Sequence, residues 1–414
     1  VGAVNVNGGT LVANQDFIVG MGGTQIGKLV INGGTMNMAT TATKWLMVGS
    51  YDSVTGQVDI VSGNLNLNMG TAIKVARQSG RTGPAIINQS GGNVTFYSDY
   101  ASTIGGGGDL DMQYAGSASS VATYNLDGGI LTVPKVDSTA TTGTRTFNFN
   151  GGTIKPTASS ATFFNLGSGN AFANVRAGGA VIDSGANNIT IVSKLQHSAI
   201  GGDPDPDGGL TKTGTGTLTL GGGYSYTGPN KVLGGTLILN TSGTVPSSGG
   251  DLVVSNATLT LTTTSGTAMP AANVSLQGSN ILNLALNNTP DSAATCINAS
   301  GTLSNTGTNF INISGSGLTY GVYHLLVTSS SASTNNFVLG TLPAGIKGVL
   351  TNSTSTSLDF LVTIAGQDLS WYGYDGSGYA TAWDIGTTTD WTPVQGGPFV
   401  AYNQYLGNTV GDRV

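Results

Sequence analysis

No glutamate occurs anywhere in this 414-residue chain: all 20 acidic side chains are aspartate, and lysine and arginine together number 14. Charged residues make up 8% of the sequence, where an ordinary soluble domain carries about 25%. The side chains that best clothe an exposed helix are therefore scarce, which argues against long solvent-facing helices. The formal charge of −6 comes without a basic run, so no row of cations is offered to a phosphate backbone, and nucleic acid is not expected as a partner. A single cysteine, Cys296, excludes an internal disulfide framework and a cysteine-rich metal centre, and reads as a small buried hydrophobe. No apolar run approaches the roughly 20 residues of a spanning helix. No charged-then-apolar leader follows Val1, so the chain reads as a mature or excised segment without a membrane-spanning piece.

What is abundant is glycine, at 66 positions, with Ser, Thr and Asn and with regularly spaced Val, Ile, Leu and Phe. That regular spacing separates the sequence from a disordered polar chain and gives it a thin core to bury. A turn motif recurs: Asn7-Gly8-Gly9-Thr10, Asn32-Gly33-Gly34-Thr35, Ser62-Gly63-Asn64, Ser90-Gly91-Gly92-Asn93, Asp127-Gly128-Gly129-Ile130 and Asn150-Gly151-Gly152-Thr153. Aligned on the residue after the glycine, the steps are 25, 29, 29, 37 and 23 residues. A second series, Val19-Gly20, Val48-Gly49, Val75-Ala76 and Ile104-Gly105, runs out of phase with steps of 29, 27 and 29. Between the markers lie alternating segments such as Gly27-Lys28-Leu29-Val30-Ile31 and Gly56-Gln57-Val58-Asp59-Ile60, whose period of two is that of a strand. Two interleaved series with one period describe a coil of about three short strands, each coil covering the apolar face of the one before. The expected fold is all-β, a parallel β-helix, with Gly and Asn taking the left-handed corner conformations and Asn and Thr stacking in ladders.

The stretch Gly208-Gly209-Leu210-Thr211-Lys212-Thr213-Gly214-Thr215-Gly216-Thr217-Leu218-Thr219-Leu220, followed by Tyr224-Ser225-Tyr226-Thr227-Gly228 and Gly234-Gly235-Thr236-Leu237, resembles the autotransporter-associated β-strand repeat of large secreted bacterial proteins. Weaker likeness is carried by Gly178 to Asp183 before it and by Phe337 to Pro343 after it. The resemblance implies a right-handed β-helix, secretion and exposure at the bacterial cell surface, and it implies no reaction. The organisation expected is glycine-marked coils over 1–200, the repeat over 201–245, further coils over 246–366, and an aromatic segment over 367–414 that either opens a next unit or caps the solenoid. On this reading the parent chain continues beyond Val414.

Candidate sites are few. Asp203, Asp205 and Asp207 alternate with Pro204 and Pro206, placing three hard oxygen donors along one loop where Ca²⁺ would be the fitting cation; otherwise the loop is a solvated connection and no cofactor is expected. Asp109 and Asp111 form a short acidic pair, but general acid and base work needs a fixed separation and unlike pKa values, for which the sequence gives no sign. His197 and His324, the two histidines, stand apart in no ligand-spaced motif. No nucleophile elbow or phosphate loop is present. Trp371, Trp383 and Trp391, three of the four tryptophans, could stack on pyranose faces or close the end of the solenoid.

The expectation from sequence is thus a non-enzymatic, secreted structural or adhesive surface segment. Its partner would be a cell-surface or matrix polysaccharide, or further copies of itself in a fibre. A polysaccharide-binding module or a polysaccharide lyase or hydrolase is the alternative, since β-helices also carry such enzymes.

Overall fold

Alternation of apolar and polar residues over four to six positions becomes, in a strand, one buried face and one outward face. In the computed structural model, which describes residues 2–23, 25–38, 44–51, 54–68, 71–77, 82–97, 108–114, 117–240, 246, 248–262, 268–286, 289–365, 370–371 and 391–392, the regular elements are strands, and there is no helix among the described residues. The chain forms two units, Val1–Leu259 and Thr260–Val414.

The first unit is a parallel β-helix with three strands to the coil. The opening coil consists of Gly2–Val6, Thr10–Ala13 and Phe17–Met21. In the next, the first two strands run together as Gly27–Met38, and Trp45–Tyr51 follows as the third. Pairing between coils is parallel and in register: Gly2 to Val6 lie against Gly27 to Ile31, Thr10 to Ala13 against Thr35 to Met38, and Phe17 to Val19 against Leu46 to Val48.

The glycine spacing in the sequence is the register of the fold. Thr10, Thr35, Asn64, Asn93, Ile130 and Thr153 are successive partners in one ladder. Val19, Val48 and Val75 are successive partners in another. After these valines Gly20 and Gly49 turn with φ of 82° and 64°, and Ala76 accepts φ of 50° at the equivalent corner; Gly105 lies outside the described residues. The stretch Gly208 to Leu237 contributes Leu210–Thr213, Thr217–Leu220, Tyr224–Ser225, Asn230–Val232 and Thr236–Asn240 to the same three ladders. Its lysine points inward: Lys212 has no exposed surface, and its ammonium donates to the carbonyl oxygens of Thr213, Gly214 and Gly234 at 2.7, 2.9 and 3.2 Å. A lysine here closes a corner whose carbonyls would otherwise be buried without donors.

Inward residues stack from coil to coil. One column contains Leu29, Val58, Ile87, Tyr124, Phe147, Ala173, Leu195 and Tyr224, all with 1% or less of their surface exposed. Tyr124 and Phe147 stack nearly flat, 5.0 Å apart with 7° between planes, and the small Ala173 follows where two large rings have filled the bore. Each large apolar side chain so buried contributes about 1.5–3 kcal/mol relative to exposure, so the continuous columns are the main source of cohesion.

In the second unit Asn280–Ala285, Asn309–Ser314 and Phe337–Leu339 pair in parallel, as do Met269–Ala271, Thr295–Ala299 and Gly321–Val327. The ladder then changes: Gly321–Val327 pairs antiparallel with Ser357–Ala365, which pairs antiparallel with Ile346–Thr351. The connection from Thr351 to Ser357 is too short for a parallel crossover and closes a hairpin, so the coils expected to continue over 246–366 end in an antiparallel piece. Of the aromatic segment, Ser370–Trp371 and Trp391–Thr392 pair antiparallel, with Trp371 opposite Trp391; Trp383 lies outside the described residues.

Close coil contact at the corners makes a specific demand on glycine. Gly63 has φ of +84°, and a Cβ on it would meet the Gly34 carbonyl oxygen at 2.1 Å. Gly63→Ala is expected to destabilise the first unit by at least about 2 kcal/mol, since the left-handed conformation alone costs about 1–2 kcal/mol for an L-residue. An unchanged denaturant midpoint would show that the corner is not so packed.

Candidate functional surface

Where the first strand of each coil faces outward, the sequence places amides at equivalent positions: Asn88, Asn125, Asn148, Asn174 and Gln196, following Asp59. Parallel in-register strands bring such side chains to about 4.8 Å of one another, which an amide spans with one hydrogen bond. Asn88 donates to Asp59 at 2.8 Å, Asn125 to Asn88 at 2.7 Å, Asn148 to Asn125 at 2.7 Å, Asn174 to Asn148 at 2.9 Å and Gln196 to Asn174 at 3.1 Å. Each amide donates to the coil before it, and those from Asn88 to Asn174 also accept from the coil after, so the row ends at its start on a group that needs only to accept. Asp59 is that group. It also takes Gln57 at 2.8 Å and Lys28 at 2.6 Å. Burial alone would raise its pKa, but the bonds from Lys28, Asn88 and Gln57 outweigh it and hold the carboxyl below its ordinary value. A net 0.5–1.5 kcal/mol per bond is typical, and a chain of aligned amides reinforces itself. The second unit repeats the device, with Asn280 donating to Asn309 at 2.7 Å and Asn312 to Asn283 at 2.8 Å.

A charged group crosses the third ladder. Lys74, Asp111 and Asp137 are register partners on successive coils, and Lys74 pairs with Asp109 at 3.0 Å and Asp111 at 3.4 Å, neither lysine nor Asp111 having exposed side-chain surface. The ammonium also lies 5.1 Å from the centre of the Tyr114 ring. Asp111 accepts from the Gln113 amide at 3.0 Å and the Thr139 hydroxyl at 3.1 Å, while Asp137 pairs with Lys135 at 2.7 Å and leaves its Oδ1 buried without a hydrogen-bond partner. Burial pushes the Asp111 carboxyl up to about 6, opposed by Lys74 and assisted by Asp137 and Asp109; Asp137 is likewise raised, chiefly by burial. Two raised carboxyls beside a lysine, which the sequence did not disclose, are therefore present, but Asp111 and Lys74 have no surface open to a polymer.

The loop of Asp203, Asp205 and Asp207 is built from protein contacts. Arg176 grips Asp203 with two bonds of 2.8 and 2.9 Å, which holds this carboxyl below its ordinary value. Asp205 accepts from the Thr227 hydroxyl at 2.7 Å. Asp207, buried, accepts from the amides of Gly209 and Gly228 at 2.9 Å each and from Thr227 at 3.0 Å, and meets His197 Nδ1 at 2.8 Å. Asp205 and Asp207 thus share Thr227 as a donor, whereas Asp203 answers to Arg176. Among the described residues no group of three or more His, Cys, Asp or Glu side chains is arranged to hold a metal ion. His324 pairs with buried Asp359 at 2.6 Å, and burial pushes the Cys296 thiol up to about 12. Trp371 and Trp391 are brought together as strand partners. Sequence reasoning missed Arg176 and Lys74, whose partners lie 27 and 37 residues away along the chain and are legible only once the coil register is known, and it missed Asp137, whose partner Lys135 is near in sequence but whose place beside Asp111 comes from the register.

Compared with protein-family models and with curated proteins, the chain matches none. No helix among the described residues is long and apolar enough to cross a membrane.

The Asp111 environment sets a pH dependence. With its pKa at about 6 against an ordinary 3.8, the folded protein holds a proton between about pH 4 and pH 6 that the unfolded chain releases. Stability from this group is full below about pH 4 and is lost as pH rises toward 6, a span worth about 3 kcal/mol. Carboxyls held low, such as Asp59 and Asp203, titrate below this window. The thermal midpoint should therefore fall between about pH 4 and pH 6.5 in the wild type and fall less in Asp111→Asn; equal slopes would refute the assignment. Millimolar Ca²⁺ should leave the midpoint unchanged, whereas an increase abolished by Asp203→Ala would place a metal in the Asp203 loop.

Proposed function

We propose that this chain is a structural or adhesive surface segment of a secreted bacterial protein, a passenger-like β-solenoid unit of a longer array. The observation that carries the reading is the amide row from Asp59 to Gln196, buried at Asn148 and Asn174 and half-buried elsewhere, hydrogen-bonded from coil to coil. A row of that kind presents a uniform, nearly uncharged polar face and stiffens the coils beneath it, which suits display or attachment more than chemistry. Support also comes from the likeness of Gly208 to Leu237 to the autotransporter-associated repeat, in which Lys212, Gly214 and Gly234 have corner-closing work. The partner on this reading is a polysaccharide or another copy of the chain.

The alternative, a polysaccharide lyase or hydrolase, has one observation in its favour: a carboxyl at about 6 beside a lysine and a second raised carboxyl is the sort of environment active sites use. Against it, Asp111 and Lys74 are fully buried. Beads coated with the protein, passed over surfaces bearing polysaccharides or the protein itself, should be retained on at least one of them, while pectin and neutral glycans incubated with it release no new chain ends. Chain cleavage that is lost in Asp111→Asn would replace the adhesive reading with the enzymatic one.

A further inference from the structure

A shorter amide row lies on the neighbouring face. Outward positions of the second strand form the register column Val12, Asn37, Asn66 and Thr95, in which Asn66 Nδ2 donates to Asn37 Oδ1 at 2.8 Å. Among the described residues no hydrogen bond is made by Asn37 Nδ2 toward Val12 or by Asn66 Oδ1 toward Thr95. The two-rung row therefore ends in a donor on one side and an acceptor on the other, both half-buried and fixed by their mutual bond. They lie in a groove of about 340 Å³ lined by Val12, Asn14, Asn37, Asn66, Asn68 and Tyr97, with Met38 at its base.

The rest of the lining is equally well placed. Asn68 is held by a 2.6 Å bond from its amide to the Met38 carbonyl, and Tyr97 by a 2.8 Å bond from its backbone N–H to the Leu67 carbonyl. The Tyr97 side chain is nevertheless 59% exposed and Val12 56% exposed. An exposed ring, an apolar patch and fixed amides offering both a donor and an acceptor, with no charged side chain among the described lining residues, match the amphipathic faces and the paired hydroxyls of a pyranose. Coil spacing of about 4.8 Å sets successive rungs apart by roughly the length of one sugar ring. The absent charge and the chain's negative balance disfavour uronates and sulfated sugars.

We infer that this groove binds a neutral glycan, with Tyr97 as the stacking platform and Asn66 and Asn37 as hydrogen-bonding partners of ring hydroxyls. The inference rests on the adhesive reading and names its ligand class and site. It places a stacking platform at Tyr97, apart from the one expected at the three tryptophans 371, 383 and 391.

The test is titration of the whole chain with short cello-, xylo-, manno- and malto-oligosaccharides, and with oligogalacturonate as the acidic comparison. Saturable binding of at least one neutral series is expected, weakened about tenfold or more by Tyr97→Ala and by Asn14→Ala, exposed positions where folding is not at stake, and retained in Tyr97→Phe. The inference is overturned if no neutral sugar binds, if oligogalacturonate binds better, or if Tyr97→Ala binds as the wild type does. Beads that adhere while the isolated sugars do not bind would remove the groove and leave the adhesive reading standing; loss of both would remove that reading as well.

Discussion

Parallel strands stacked in register put each residue directly over its equivalent in the coil below, and every other feature of the first unit inherits that constraint. Side chains alternate across a strand, so a slip of one residue would exchange the inward and outward columns together. The inward columns must then be apolar throughout, and the outward ones must tolerate their own kind at about 4.8 Å. Charges of one sign cannot repeat at that spacing. Amides and hydroxyls can, because each both donates and accepts. The shortage of charge and the excess of Asn and Thr follow from the stacking rule, without any appeal to function.

Where the rule is broken, the exceptions are matched to one another. Asp59 terminates the amide row as a pure acceptor and is neutralised by Lys28. Asp111 and Asp137, like charges in adjacent coils, coexist because Lys74 and Lys135 reach them and because burial holds protons on them longer. Lys212 occupies an inward column otherwise filled by aliphatics and spends its three donors on corner carbonyls. These substitutions into a repeating pattern are where the protein departs from a generic solenoid; Lys74, Asp111 and Lys212 among them are wholly buried, while Lys28 and Asp59 stand on the outward face.

The glycine steps in the sequence were enough to recover the register of the second-strand ladder residue by residue from Thr10 to Thr153, because glycine is demanded at the same corner of each coil. The stacking of Asn was also foreseeable in kind. The partners of Lys74 were not, since the step from Lys74 to Asp111 spans 37 residues, longer than the 29 and 27 that separate the valines of the same ladder. The antiparallel ending of the second unit was hidden for a related reason: Ile346–Thr351 and Ser357–Ala365 carry the same period of two as a coil strand, and direction of pairing depends on the short turn between Thr351 and Ser357, not on the strands. The groove at Tyr97 combines residues from four coils, none of which is unusual alone.

The central claim is the register itself, and disulfide trapping reads it directly. Thr123 and Thr146 are partners on adjacent coils with outward side chains, at a separation suited to a disulfide, whereas Val121 stands two residues out of step with Thr146. With Cys296 buried, the pair Thr123→Cys and Thr146→Cys should crosslink readily under mild oxidation, and Val121→Cys with Thr146→Cys should not. Equal crosslinking of the two pairs, or a preference for the second, would contradict the stacking on which the whole account depends.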